Sequence, residues 1–81
     1  MAMDYRSDSI ARITKKPEQY GGRPCIRGMR IRVTDILRML AEDMTADEIL
    51  VDFPDLEMAD IQACLLFAAR QTDSGFQRTA A

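Results

Sequence analysis

A chain of 81 residues is long enough for one domain, and a domain this small buries only about 60% of the surface its unfolded chain exposes, so association is a common remedy. Hydrophobic residues make up 47% of it, which excludes disorder throughout, and there is no histidine, which removes the commonest general base and metal ligand. The formal charge of −2 conceals a division: residues 1–38 hold nine Lys/Arg and four Asp/Glu (net +5), and residues 39–81 hold two and nine (net −7). Such a split is either two solvated faces or a basic half that meets an acidic polymer.

Residues 1–8 are polar and read as a flexible N-terminus, followed by a single domain over 9–71. Ile10 to Ile13 suits a short strand. Pro17 to Gly22 is a loop in which Gly21-Gly22 admits backbone angles closed to other residues. Around Gly28 a tight turn is expected, and the alternation Arg30-Ile31-Arg32-Val33 predicts a strand after it. Three helices follow. The first has Thr34 as its N-cap and one apolar stripe of Val33, Ile36, Leu37 and Leu40, and stops near Asp43 or Met44. The second opens on a capping box, Thr45 with Glu48, buries Ala46, Ile49, Leu50 and Phe53, and ends before Pro54. The third runs from about Met58 to Gln71, with Ile61, Cys64, Leu65 and Ala68 in one stripe. Ala59, Ala63, Leu66 and Phe67 lie outside that stripe. A helix apolar nearly all round is buried on more than one side, so these four are assigned to a dimer or partner interface. Thr72 onward reads as a flexible tail over 72–81. The fold class is mainly α: a small three-helix, helix-turn-helix domain preceded by short N-terminal β-strands.

Catalytic chemistry is not expected. Cys25 and Cys64 are isolated and read as core thiols, too few for a structural zinc site. The carboxylates at Asp43, Asp47 and Glu48, and at Asp55, Glu57 and Asp60, sit at helix starts, where negative charge complements the helix dipole. No phosphate-binding glycine spacing exists, so no cofactor and no metal are expected. The start of the chain lacks the pattern of a signal peptide, and the longest apolar run, Ala63 to Ala69, is far short of a membrane span. A cytoplasmic location with no membrane partner is the expectation.

For nucleic acid, a helix-turn-helix normally places the start of its second helix in the major groove. Here that start carries Glu57 and Asp60, which phosphate repels. The basic strand-and-turn region is the better DNA-binding candidate: Lys15, Lys16, Arg23, Arg27, Arg30 and Arg32, with Arg12 beside them. The competing reading is that these arginines solvate an edge, pair with a second subunit's acidic half, or brace the loop through carbonyls.

The run Gly21-Gly22-Arg23-Pro24-Cys25-Ile26-Arg27-Gly28-Met29-Arg30-Ile31 resembles the signature of the bacterial domain of unknown function family 433. Ile36-Leu37, Met44-Thr45, Glu48-Ile49-Leu50, Phe53-Pro54-Asp55-Leu56 and Asp60-Ile61 are similar to its downstream pattern, and the resemblance spans about residues 9–70. It implies a three-helix fold of the helix-turn-helix class after short strands. It also implies a VapB-type antitoxin: a homodimer that represses its own operon and blocks a PIN-like ribonuclease toxin. The sequence departs from the family's pattern at Met29, Arg32 and Glu57, where Thr, Pro and Ser or Thr are usual. The expected function is therefore an antitoxin-like transcriptional regulator, not an enzyme, and the alternative is a protein-interaction module without DNA binding.

Overall fold

The computed structural model describes residues 10–75. The expected flexible segment at 1–8 and the last part of the expected tail, 76–81, lie outside these residues. The chain forms β1 (Ile13–Thr14), a single turn at Tyr20–Gly22, β2 (Cys25–Ile26), α1 (Val33–Ala41), α2 (Ala46–Asp52) and α3 (Met58–Gly75). The result is a small mainly-α domain of three helices with a two-stranded antiparallel sheet before them.

The strands differ in place from the sequence expectation. Ile10 and Ala11 are helical, and β1 begins only at Ile13. It pairs with β2 in the register Ile13↔Ile26 and Thr14↔Cys25. The second strand precedes the turn, where the alternation had placed one after it. The segment from Arg30 contributes only the bridge Cys25↔Arg32, because Val33 already opens α1. Between these arms the chain reverses at Ile26–Met29, closed by the Met29 N–H donating to Ile26 O at 2.8 Å. Both central residues, Arg27 (φ 46°) and Gly28 (φ 72°), are left-handed, the pattern of a type I′ turn. Gly28 takes this angle freely, whereas Arg27 adopts it at a cost of about 1–2 kcal/mol.

The N-cap of α1 is Arg32, not Thr34, which is exposed one residue inside the helix start. Asp35 supplies the reciprocal half of the cap. Its carboxylate accepts the Arg32 N–H at 3.1 Å and pairs with the Arg32 guanidinium at 2.9 Å and 3.2 Å. The helix ends in a Schellman arrangement, with Asp43 (φ 73°) left-handed and Met44 N–H donating to Met39 O at 3.1 Å. The start of α2 forms as its sequence predicts. Thr45 Oγ1 accepts the Glu48 N–H at 3.1 Å and Glu48 Oε1 accepts the Thr45 N–H at 2.8 Å. Four residues past the expected end, α3 still continues to Gly75. No proline or glycine intervenes, and the Thr72 hydroxyl donates to Ala68 O within the helix at 2.9 Å.

One core joins these elements: Ile26 from β2, Val33 and Ile36 from α1, Ile49 from α2, Leu56 from the turn, and Ile61 and Cys64 from α3. Cys25 is also fully buried, and both thiols are free. Burial pushes the Cys64 thiol up to about 12 and raises that of Cys25, so both stay protonated and unreactive. Among the described residues no helix is long and apolar enough to cross a membrane.

Ile36 lies fully buried at the centre of this core. Ile36→Ala should cost about 2–5 kcal/mol and Ile36→Val about 0.5–1.5 kcal/mol. The check is a urea titration in which the midpoint falls in that order while the slope stays constant. An Ala variant as stable as the Val variant would contradict this account of the core.

Candidate nucleic-acid interface

The basic residues divide into two groups. The first is built into the fold around Asp60, the third helical residue of α3 and wholly removed from solvent. A buried carboxylate needs donors from every side. One comes from the helix itself, where the Glu57 N–H donates to Asp60 Oδ2 at 2.8 Å. Two more come from the hairpin. Arg27 forks onto Asp60, Nε to Oδ1 at 3.0 Å and Nη2 to Oδ2 at 2.8 Å, and also donates to Asp55 O at 2.8 Å. Arg12 Nη1 reaches both Asp60 Oδ1 at 2.9 Å and Glu57 Oε1 at 2.8 Å.

Burial by itself would raise the Asp60 pKa, but the donors from Arg27, the Glu57 N–H and Arg12 outweigh it and hold the carboxyl below its usual range. The hydrogen bonds to Glu57 and Asp60 raise the Arg12 pKa, and the bond to Asp60 raises that of Arg27. Arg32 is likewise committed. Besides its fork on Asp35, its guanidinium lies over the Tyr20 ring, 5.1 Å from the centroid.

The second group is Lys15, Lys16, Arg23 and Arg30. All four are exposed, and none has an ion pair among the described residues. They lie on two loops that hydrogen bonds hold together. The Gly28 N–H donates to Thr14 Oγ1 at 2.9 Å, Gln19 Nε2 to Gly28 O at 3.1 Å, and Tyr20 Oη to Arg30 O at 3.2 Å. Lys15 sits over the Phe67 ring at 5.5 Å, and Lys16 Nζ lies against Gly28. Of the six candidates from sequence, four thus remain available as a surface, and Arg27 and Arg32 serve the fold. Arg27 does bond a carbonyl, but across the domain at Asp55 rather than within its own loop.

The expected partner face on α3 also changes. Ala63 is fully buried in the chain's own fold, Phe67 packs against the core, and Ala59 and Leu66 are half-buried. Leu65, expected on the inner stripe, is instead 49% exposed, and Met58 is 40% exposed. The helix is rotated because Asp60 must face the hairpin. Sequence reasoning placed Asp60 among the helix-start acids but not inside the domain. Its spacing as the third residue after Glu57 was a signal for the cap, and nothing local marked its arginine partners 33 and 48 residues away.

The model of the family described as protein of unknown function (DUF433) matches residues 13–68, more than half of the chain. The chain belongs to the DUF433 family. No curated protein and no solved structure matches it. The family match covers both strands, the turn at Arg27-Gly28, the first two helices and α3 as far as Ala68. It therefore includes Arg27, Glu57 and Asp60 of the buried cluster and begins one residue after Arg12.

The Asp60 clamp makes a signed prediction. With a depressed native pKa, its contribution is fully present above the unfolded value near 3.9 and is lost as pH falls through the native value. Asp60→Asn should lower stability at neutral pH by about 2–3 kcal/mol, the low end because both arginines reach solvent. In urea titrations from pH 7 downward, the gap between parent and variant should narrow below about pH 4. A gap that stays constant with pH would remove the ionised carboxylate from this role.

Proposed function

We propose that this DUF433 protein is an antitoxin-like regulator that dimerises and binds operator DNA through Lys15, Lys16, Arg23 and Arg30, without enzymatic activity. The carrying observation is that these four cations are exposed and free of ion pairs among the described residues, on two tied loops, while Arg12, Arg27 and Arg32 are spent internally. Phosphate contacts of this kind position a protein on DNA and give binding that weakens with salt. The standard use of α3 as a recognition helix is disfavoured by Glu57, exposed at its start, and not by Asp60, which is turned inward and paired. In the antitoxin role, a basic pocket of a PIN-like toxin would receive the exposed acids Asp47, Asp52 and Asp55. The alternative reading, an interaction module without DNA binding, draws on the same acids and on Val51, which is 78% exposed beside Asp52.

Fluorescence anisotropy on DNA from upstream of the protein's own gene, with scrambled DNA as control, tests the DNA reading between about 50 and 200 mM salt. Replacing Lys15, Lys16, Arg23 and Arg30 together by Ala should weaken binding and reduce the slope of log affinity against log salt by about 3.6 per subunit, at about 0.9 for each phosphate no longer neutralised. An unchanged affinity and slope would defeat the assignment. A parent protein that does not prefer its own upstream DNA would favour the interaction module.

Dimerisation is assigned to the outward side of α3 around Leu65 and Met58. Leu65→Glu should convert a dimer to a monomer in sedimentation equilibrium without loss of helix content. A variant that sediments as the parent does would move the interface elsewhere.

A further inference from the structure

We propose that the cavity between the Arg23-Pro24 segment, the start of α1 and the later turns of α3 is a binding site for a small monocarboxylate with a compact apolar body. Its volume is about 320 Å³, at the lower end of the about 300–1,000 Å³ range of small-molecule pockets. Pro24, Leu37, Phe67 and Ala68 supply an apolar wall. Arg23 and Arg32 border the same space and are its only charged lining residues among the described residues.

The charge balance selects the ligand. Arg32 is neutralised by the fork on Asp35, which leaves Arg23 as one uncompensated positive charge beside an apolar wall. One carboxylate satisfies it, and a planar guanidinium donates two parallel hydrogen bonds to a carboxylate. A second negative charge would have no partner there. A fully apolar ligand would leave Arg23 unused, and a bare anion would leave the wall empty. Arg32 is also held rigidly, between Asp35 and the Tyr20 ring at 5.1 Å, so one side of the site is preorganised. Arg23 belongs as well to the surface proposed for DNA, but the ligand inference goes beyond that reading and is tested without nucleic acid.

The test is a titration of the whole chain, followed by backbone amide shifts in NMR, with phenylacetate as probe. Acetate (no apolar body) and 2-phenylethanol (no charge) are the controls. Phenylacetate should give saturable shifts centred on Thr34, Leu37, Ala68 and Gln71, with a dissociation constant of about 1 mM or tighter. The two controls should bind at least about tenfold more weakly, and so should Arg23→Gln, an exposed position where the fold is kept. Ala68→Phe should fill the cavity and abolish the shifts while leaving the core resonances of Ile36 and Ile49 in place. The inference is overturned if phenylacetate gives no saturable shift up to about 10 mM, if 2-phenylethanol binds as well as phenylacetate, or if either variant binds like the parent.

Discussion

A carboxylate held out of water must be matched by donors, and the way Asp60 is matched fixes the β1–β2 pair against α3. Its place as the third residue of α3 lets it accept the Glu57 N–H, so it closes the helix start from within. Its remaining lone pairs face the hairpin, where Arg12 and Arg27 arrive from either side of the β1–β2 pair. A two-residue strand pair is marginal by itself. Here its Ile13–Ile26 end is fixed twice, by Ile26 in the core and by the adjoining Arg12 and Arg27, whose guanidiniums pair with Asp60 of α3. Taking one partner away would leave a buried charge uncompensated, which is worse than never having built the pair.

The same constraint explains the backbone at Arg27. A left-handed angle on a residue with a β-carbon is unfavourable, and an Asn or Gly would take it more easily. Neither could fork onto Asp60 and at the same time donate to Asp55 O. The strain of about 1–2 kcal/mol is offset by charge-assisted hydrogen bonds, each worth about 1.5–3 kcal/mol net. The positive charge of the first half of the chain is therefore not one property. Part of it compensates Asp35, Glu57 and Asp60, and the part on the 15–30 loops, with Arg38 on α1, reaches outward.

Most of what is legible in the sequence is local. The Thr45–Glu48 cap, the apolar stripe of α1, the stop before Pro54 and the turn at Gly28 are all set by neighbours within a few residues. The strands were misplaced because two residues are too short for any alternation to register, and their pairing spans a loop. An arginine is an unusual N-cap, so Arg32 reads as a surface cation; its extended backbone and its N–H, accepted by Asp35, make it the cap. Most instructive is the rotation of α3. The apolar stripe predicts Ile61 and Cys64 inward, where they are, but Asp60 and Ala63 turn inward with them and Leu65 does not. Hydrophobic periodicity treats a buried carboxylate as noise, yet here it sets the phase.

That phase leaves α3 unevenly supported. Its buried residues, Asp60, Ile61, Ala63 and Cys64, all lie in the first two turns, and from Ala69 to Asp73 every side chain is exposed. At 1.5 Å per residue an 18-residue helix is about 27 Å long, so among the described residues the stretch beyond Phe67 and Ala68 extends past the core that stabilises its start. Ordering a backbone costs about 1–2 kcal/mol per residue, and helices gain most of their stability from tertiary packing rather than propensity. The second half of α3 consequently has the most to gain from a further surface. Among the described residues, the outward Leu65 and the cavity bordered by Phe67 and Ala68 both lie at the edge of the chain's own packing. A second subunit on one side of this helix and a small ligand on the other would supply packing that the described residues do not.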